Sequence, residues 1–197
     1  QRQMCIRDSG EGDGLPSLVV DRYGDYLVAQ LLSAGLAAHQ HVIIESLCEL
    51  TGCQGILARH DVAAREREGL TRDVQLLHGD VPQTVEVHEH GVKFIAAPWD
   101  GQKTGAFLDQ RDNRVLVGAH AHGRALDCFA YHGGFALQLA RKAKRVTAVE
   151  ISEPACAQIS IAAKINNRKL VDPKASAILG AGVQIRSLIN SLIANAQ

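Results

Sequence analysis

The apolar and polar positions along the chain predict an α/β protein that begins with a small mixed region, residues 10–97. Apolar residues at helical spacing predict a helix that ends at Thr51-Gly52. Asp61 is a candidate N-cap for a short charged helix over 62–68. Turn residues at 21–25 and at His90-Gly91 each predict a hairpin. The predicted strands of this region are residues 18–20, 27–32, 55–59, 74–77, 84–87 and 92–96.

A connector, residues 98–123, follows this region. Pro98 breaks the preceding strand, and a polar loop flanked by glycines occupies 101–105. Residues 109–121 have the pattern of a helix. The predicted inner face of that helix consists of Val115, Leu116 and Ala119.

Residues 124–167 alternate between apolar run, glycine turn and helix. Apolar runs at 125–130 and 146–151 predict two strands, with a buried helix between them. Glu153-Pro154 opens the next helix and places proline in its first turn. This βαβα order requires a parallel sheet with right-handed crossovers.

The two ends of the chain lie outside this pattern. Residues 1–9 have no periodicity and resemble translated adapter sequence, so we expect a non-native leader and leave it out of the fold prediction. Residues 168–197 are expected to form an atypical tail, because from 174 onward they keep apolar positions but carry almost no charge.

Composition narrows the class of protein without assigning a function. The 46% hydrophobic and 21% charged residues are ordinary for a globular protein, and no apolar run reaches the roughly 18 residues of a membrane helix. The N-terminus has no secretory signal pattern, so we expect a cytoplasmic protein. A formal net charge of zero gives no overall footprint for nucleic acid, although a local basic groove would suffice.

Metal binding is not expected. The five cysteines are irregularly spaced, and Cys48 and Cys53 lack the second pair that a zinc site needs. We therefore interpret the cysteines as reduced thiols. His88 and His90 sit two residues apart without an evident acidic or cysteine partner.

The segment that carries chemistry is residues 126–135, followed by Glu150. An apolar strand ends in Asp127, and Gly133-Gly134 leads into a helix whose free amides suit an anionic group. Glu150 ends the second strand, where doubly wound sheets place an acid that accepts hydrogen bonds from a ribose diol.

Two nucleotide-type ligands suit this plan. A dinucleotide is expected to use the GxGxxG pattern, which is absent. S-adenosylmethionine (SAM) has an ammonium group for Asp127, a carboxylate for the Gly133-Gly134 amides and a ribose for Glu150. The pattern favours SAM. A NAD-dependent Rossmann oxidoreductase, a non-catalytic RNA-binding module and a βαβ unit whose glycines only close a turn stay open as alternatives.

Three stretches resemble one family. Residues 101–114 are similar to the GQKTGxFLDQRxNR signature of the class I ribosomal RNA large-subunit methyltransferases that make 5-methylcytosine. Residues 126–136 resemble that family's LDCFxYTGGFAL loop, with His132 where the family usually has threonine. Residues 10–24 resemble its EGDGLPGLxVDRYG segment, so the resemblance covers about residues 10–167.

The resemblance implies a fold and a partner. The family has an N-terminal PUA RNA-binding domain, a small central α+β domain and a Rossmann-like class I methyltransferase sheet. We therefore expect an α/β chain with the central domain followed by the first part of that sheet, truncated and without the PUA domain. The implied function is SAM-dependent methylation of cytosine C5 in 23S ribosomal RNA.

The resemblance also implies the site residues. The donor site would consist of Asp127, Phe129, Tyr131, Gly133 and Gly134 around the methionine end, Glu150 at the ribose, and Ile151 and Ser152 beside the adenine. The cleft between the central domain and the sheet would be lined by Gln102, Lys103, Thr104, Phe107, Asp109 and Arg111.

The family's catalytic cysteine has no counterpart that we can identify. That nucleophile adds to carbon 6 of cytosine and follows an Asp-Pro-Pro motif, which this sequence lacks. Cys128 and Cys156 are interpreted as small buried hydrophobes. We therefore expect a chain that binds the donor but does not complete catalysis.

Two groups of cations have competing interpretations. Arg59, Arg65, Arg67 and Arg72 could touch RNA phosphates or form a solvated face paired with Glu66 and Glu68. A second group, at the end of a predicted helix, is interpreted as offsetting the helix dipole. Its members are Arg141, Lys142, Lys144 and Arg145.

Overall fold

The computed structural model describes residues 5–7 and 14–167, which belong to two compact units that divide between Val115 and Leu116. This boundary falls inside the predicted connector. The strands are β1 (Cys5–Arg7), β2 (Leu18–Tyr23), β3 (Tyr26–Leu31), β4 (Gly55–Arg59), β5 (Val74–Gly79), β6 (Val85–Glu89), β7 (Val92–Ala96), β8 (Arg124–Cys128) and β9 (Arg145–Val149). The helices are α1 (Ala34–Ala38), α2 (Gln40–Thr51), α3 (Ala64–Arg67), α4 (Arg111–Ala119), α5 (Gly134–Leu139) and α6 (Glu153–Ile165), with a 3₁₀ turn at Leu108–Gln110.

The first unit is built on a mixed five-stranded sheet in the order β1-β2-β3-β4-β5. Only the β3–β4 pair is parallel, and α2 lies in the crossover between these two strands. Ile44 of α2 shares a buried cluster with Leu27 and Ile56 of the sheet. Gly52 ends α2 in the left-handed conformation and donates its N–H to the Cys48 carbonyl, as the Thr51-Gly52 signal predicts.

Both predicted hairpins form. Tyr23 pairs with Tyr26 across a two-residue turn that joins β2 and β3. Strands β6 and β7 are joined by His90 and Gly91, which both have positive φ, as a tight hairpin turn requires. Alternate residues of β6 are buried, as expected of a strand with one face on a core.

Two local predictions are wrong. Asp61 does not cap α3, which begins after Ala63; its carboxylate instead accepts two bonds from the Arg59 guanidinium. The buried face of α4 carries Arg114 and Gly118, whereas Leu116, predicted to point inward, is 60% exposed.

Ala119, predicted on the same inner face, is also exposed, while Val115 is half-buried. Cys5–Arg7, which lies within the predicted leader, pairs with β2. The predicted tail, residues 168–197, lies outside the described residues.

A buried ion pair explains the orientation of α4. The Arg114 guanidinium donates to both carboxylate oxygens of Glu89 at 2.8 and 2.5 Å, and to the Phe107 carbonyl at 2.8 Å. Both side chains of the pair are buried. A buried charge is costly unless it is paired. Keeping Arg114 paired with Glu89 therefore stabilises the fold more than burying Leu116 would.

The second unit contains the βαβα segment. Strands β8 and β9 pair in parallel, with α5 between them in the chain and α6 after them. Ala130, Ala136, Val146 and Ile159 belong to one buried cluster that joins both strands to both helices. The predicted α/β class with a Rossmann-like parallel unit is confirmed. None of the described helices has the length and apolar character to cross a membrane.

Candidate functional site

The candidate donor site lies at the carboxyl ends of β8 and β9. These strands are paired in register, with Asp127 opposite Ala148 and Cys128 opposite Val149. The loop 129–133 therefore leaves the sheet beside Glu150 and Ile151, which follow β9. In open parallel sheets this is the edge at which ligands bind. The structure thus brings all eight predicted donor-site residues to one edge of one sheet.

The loop after β8 has an unusual backbone. Phe129, Tyr131 and Gly133 have φ of +60°, +49° and +81°, so every second residue is left-handed. Non-glycine residues adopt this conformation rarely and at some cost in energy. The Ala130 amide donates to the Val149 carbonyl at 3.0 Å, and the Gly133 amide donates to the Ala130 carbonyl at 2.7 Å. These bonds hold the loop in this shape.

Glu150 fastens this loop to β9. One carboxylate oxygen accepts from the Tyr131 amide at 2.7 Å, and the other accepts from the Ile151 and Ser152 amides at 2.9 and 2.8 Å. The residue is buried. A carboxylate has about four acceptor positions, so three backbone bonds leave capacity for about one more donor. The sequence indicated Glu150 as a ligand residue but gave no sign of this anchoring role.

Asp127 lies at the other side of the loop. Its carboxylate accepts a bond from the Ala136 amide in the first turn of α5 at 2.9 Å. Burial raises the pKa of Asp127 to about 6, the Ala136 amide opposes this shift, and the negative charge of Glu150 adds to it. A half-buried carboxylate with a raised pKa gains from a cationic ligand, because the cation stabilises its charged form.

Both the close packing around Gly133 and its left-handed backbone require glycine at this position. A Cβ placed there would lie 3.1 Å from Cγ1 and 3.3 Å from Cγ2 of Ile159 on α6. The residue also has φ of +81°. Gly133 therefore lets α6 pack closely against the start of α5. The sequence pattern gives no sign that Ile159 makes this glycine necessary.

We expect Gly133→Ala to lower the free energy of unfolding by about 2–4 kcal/mol, from the left-handed backbone and from overpacking against Ile159. The matched control is Gly123→Ala, which has φ of +54° but nothing within 4 Å of its Cβ and should cost only about 1–2 kcal/mol. Denaturant unfolding measures both. Adding Ile159→Val should recover part of the Gly133→Ala loss, and equal losses for the two glycines would contradict the packing argument.

Two apolar side chains at this edge are exposed. Phe129, directly after β8, is 71% exposed, and Ile151, two residues after β9, is 58% exposed. The Ser152 hydroxyl caps α6 by accepting from the Ala155 amide. His132, at the position where the family usually has threonine, stacks against the Tyr131 ring with centroids 3.8 Å apart. The exposed apolar surface suits a flat, largely apolar group such as a purine.

The GQKTG loop lies in the first unit and closes on itself. The Gly101 amide donates to the Ala97 carbonyl at 2.8 Å, and the Ala97 amide donates to the Gly105 carbonyl at 3.2 Å. A Cβ on Gly101 would lie 2.6 Å from the Ala97 carbonyl oxygen, so no larger residue fits. The two glycines therefore form the base of a tight loop that carries Lys103 at its tip.

The predicted cleft residues differ in their exposure and in their bonding partners. The Lys103 ammonium lies 2.9 Å from the Asp109 carboxylate and 4.8 Å from the centroid of the Phe107 ring. Gln102 is exposed and Arg111 is half-buried. Thr104 is only 2% exposed. Its hydroxyl bonds to Asp21 and lies 2.8 Å from the Tyr23 hydroxyl. We therefore interpret Thr104 as holding the loop, not as a substrate contact.

Only two of the four arginines in the first group, Arg67 and Arg72, lie at the surface. Arg59 and Arg65 are buried and bond to internal acceptors, among them the Pro98 carbonyl for Arg59 and the Thr71 carbonyl for Arg65. They therefore form neither a phosphate-binding surface nor a solvated face. Arg72 pairs with Glu66 at 3.3 Å on the surface, and Arg67 is exposed.

Neither a metal site nor a reactive thiol is evident in residues 14–167. His88 lies 3.1 Å from Glu86, but no group of three potential ligands occurs among these residues. Burial raises the pKa of Cys128 and of Cys156, and the negative charges of Asp127 and Glu150 respectively add to it. Both thiols therefore stay protonated at neutral pH, which disfavours a nucleophilic role.

Comparison with known proteins finds relatives in sequence and in fold. The chain is 42% identical over 151 residues to the ribosomal RNA large subunit methyltransferase I of Tolumonas auensis, an alignment that covers 75% of this chain and 38% of that protein. The corresponding Vibrio cholerae protein is 41% identical over 161 residues, covering 80% and 41%. The chain thus spans about two fifths of the length of these relatives. No protein-family model matches the sequence.

Solved structures agree on the fold. A SAM-dependent methyltransferase of Streptococcus mutans superposes with a TM-score of 0.73 at 21% identity, covering 88% of this chain and 46% of that one. The M. jannaschii tRNA m1G37 methyltransferase superposes with a TM-score of 0.64 at 17% identity, covering 82% and 49%. The chain is therefore similar in sequence to part of the ribosomal RNA large subunit methyltransferase I proteins and shares the fold of SAM-dependent methyltransferases.

Proposed function

We propose that this chain binds SAM at the carboxyl ends of β8 and β9 and belongs to an enzyme that methylates ribosomal RNA. The observation that supports the proposal most strongly is the geometry of the loop 129–133, in which every second residue is left-handed and the Tyr131 amide donates to the Glu150 carboxylate. Asp127 before the loop and Glu150 after β9 are the two acids that suit the ammonium group and the ribose of the donor. Similarity to the ribosomal RNA large subunit methyltransferase I proteins supports the reaction class. We further propose 23S ribosomal RNA as the substrate, cytosine C5 as the target atom and the cytoplasm as the location.

The chemical groups at this edge fit SAM. Asp127 in its charged form would hold the ammonium group of the methionine end, and the Gly134 end of α5 would face the carboxylate. Glu150 has capacity for about one ribose hydroxyl beyond its three backbone bonds. Exposed Ile151 offers apolar contact for the adenine, and exposed Phe129 would contact the methionine end. When bound, the donor supplies an electrophilic methyl group; the residues described here only bind and orient it.

Comparing the binding of S-adenosylhomocysteine with the binding of NAD tests which class of nucleotide ligand the site takes. We expect S-adenosylhomocysteine, the form of the donor without its methyl group, to raise the thermal unfolding midpoint of the chain, since it binds only the folded state, and we expect NAD to have no effect. The absence of GxGxxG and the placement of Asp127 underlie this expectation. A midpoint that rises with NAD and not with S-adenosylhomocysteine would favour the oxidoreductase alternative.

The pH dependence of stability tests the environment of Asp127. Because burial raises its pKa to about 6, the folded chain keeps a proton that the unfolded chain releases between about pH 4 and pH 6. The stabilisation is full below the unfolded pKa and is lost as pH rises through the folded pKa. We therefore expect the stability of wild type relative to Asp127→Asn to fall over this window, measured by denaturant unfolding at each pH.

Ligand affinity should change in the opposite direction. The ammonium of S-adenosylhomocysteine pairs with the charged form of Asp127, so affinity should rise as pH increases through about 6. Titration calorimetry of wild type and Asp127→Asn measures this, with the dependence expected only in wild type. The same pH dependence in both proteins would show that Asp127 does not hold the ligand.

Methyl transfer by this chain alone is expected to be absent. The sequence offers no Asp-Pro-Pro motif with its following nucleophile, and the thiols of Cys128 and Cys156 are held protonated. An assay of labelled methyl transfer to cytosine-containing RNA checks this. Clear turnover would overturn the interpretation of both cysteines.

A further inference from the structure

The amino-terminal edge of β8 and β9 carries five exposed cations, which we term the basic edge. Arg124 begins β8 and Arg145 begins β9, and these two residues are paired in register. Three others lie between the end of α5 and the start of β9. The basic edge consists of Arg124, Arg141, Lys142, Lys144 and Arg145, all of them exposed.

Acidic residues in this part of the chain lie at the opposite edge. The sequence has no Asp or Glu in 113–126 or in 128–149. Asp127, Glu150 and Glu153 all lie at or just after the carboxyl ends of the strands. Four residue steps separate Arg124 from Cys128, which corresponds to about 13 Å along the strand. The βαβα segment is therefore polarised, with the donor site at one edge and the basic edge at the other.

Two side-chain contacts at the basic edge go to neutral acceptors. The Arg141 guanidinium donates to the Gln138 side-chain carbonyl at 3.1 Å. The Lys142 ammonium donates to the Ala119 carbonyl at 2.9 Å. Both acceptors are neutral, so these bonds orient the cations without cancelling them. Arg124 and Arg145 are paired in register, so two positively charged side chains lie on neighbouring strands, an arrangement that a bound anion would stabilise.

Compensation of a helix dipole does not account for this arrangement. Helix α5 has six residues, and the carboxyl end of a helix carries the equivalent of about half a negative charge. One or two cations would balance it, and Arg124 on β8 is not part of the helix end at all. Five clustered cations in a chain of zero formal net charge instead favour a polyanionic partner.

We propose that the basic edge binds the phosphodiester backbone of RNA, as a contact separate from the donor site. This inference rests on the proposed function, which supplies RNA as the polyanion. Phosphate contacts position a nucleic acid without reading its sequence. The basic edge would therefore add affinity and orientation for RNA, while recognition of the target base falls to other residues.

The test compares RNA binding by the chain and by Lys144→Gln/Arg145→Gln, using fluorescence anisotropy of two labelled 12-nucleotide RNAs of unrelated sequence across a salt series. Removing two phosphate contacts to a single strand should lower the slope of log affinity against log salt by about 1.4. Affinity at 0.1 M salt should fall about 10-fold or more, equally for both RNAs. The control is Arg67→Gln/Arg72→Gln, which removes two surface charges from the first unit and should leave the slope unchanged.

The possible outcomes test the basic edge and the donor site separately. An unchanged slope in Lys144→Gln/Arg145→Gln, an equal loss in the control, or no RNA binding by the wild-type chain would overturn the basic edge as an RNA contact. S-adenosylhomocysteine binding is measured on the same proteins and should be equal in all three. Loss of slope with no binding of S-adenosylhomocysteine by any of them would support the basic edge and count against the proposed donor site.

Discussion

Glu150→Ala should abolish the rise in unfolding midpoint that S-adenosylhomocysteine gives to the wild-type chain. The carboxylate accepts bonds from the Tyr131, Ile151 and Ser152 amides, so its removal leaves three backbone donors without their acceptor. Hydrogen bonds to a charged group contribute about 1.5–3 kcal/mol each, so we expect a loss of at least about 2 kcal/mol in the ligand-free protein. Differential scanning fluorimetry with and without ligand measures both effects.

The matched control is Glu153→Ala. Glu153 lies three residues further along and is exposed in the first turn of α6, so its removal should cost less than about 1 kcal/mol. Its ligand-dependent midpoint rise should equal that of wild type. Glu150→Gln adds a second comparison, because the amide keeps one acceptor oxygen and should lose less stability than alanine. A Glu150→Ala protein with wild-type stability and an undiminished ligand effect would contradict the anchoring role.

Glu89→Gln should be among the most destabilising single changes in the first unit. The Glu89 carboxylate and the Arg114 guanidinium are both buried and joined by two hydrogen bonds. Neutralising one partner leaves the other charge buried and unpaired, which costs about 3–5 kcal/mol. Equilibrium denaturation in urea measures the loss.

Two comparisons separate the buried pair from ordinary surface charge. Glu86→Gln removes an exposed partner of Lys93 in the same hairpin and should cost less than about 1 kcal/mol. The double variant Glu89→Leu/Arg114→Met removes both charges together and should be more stable than Glu89→Gln. If Glu89→Gln costs no more than Glu86→Gln, the pair does not hold α4 against β6.

Elements with a simple local pattern could be predicted from the sequence. Alternation of apolar and polar residues in β6, with the turn residues His90 and Gly91 after it, determines a hairpin almost unaided. The left-handed Gly52 ends α2 where the sequence indicates. In these places the stabilising interactions are between near neighbours in the chain, so the sequence pattern contains them.

Elements fixed by distant partners could not be predicted. The inward face of α4 follows from the pairing of Arg114 with Glu89, 25 positions earlier. The apolar pattern favours Leu116 for that face, because such a pattern assigns a charged residue such as Arg114 to solvent. Thr104 behaves similarly: it resembles a loop residue open to ligand, but Asp21 and Tyr23 enclose its hydroxyl.

The candidate site was predictable in its chemistry and less so in its construction. Two acids around a double glycine indicate a nucleotide-type ligand from spacing alone. The left-handed Phe129 and Tyr131, and the use of Glu150 as an acceptor for three amides, depend on the loop's three-dimensional path. The placement of the donor site and the basic edge at opposite ends of β8 and β9 likewise depends on the register of these strands, which brings Arg124 beside Arg145.

The location of the ligand is the central claim, and amide chemical shifts test it most directly. In ¹H–¹⁵N spectra of the labelled chain titrated with S-adenosylhomocysteine, we expect the largest changes at Tyr131, Gly133, Gly134, Ile151 and Ser152. The amides of Arg124 and Arg145, at the far edge of the same strands, should barely move. Saturable changes centred on the carboxyl ends of β8 and β9 would support the donor site. Saturable changes centred elsewhere, with these five amides unaffected, would contradict it.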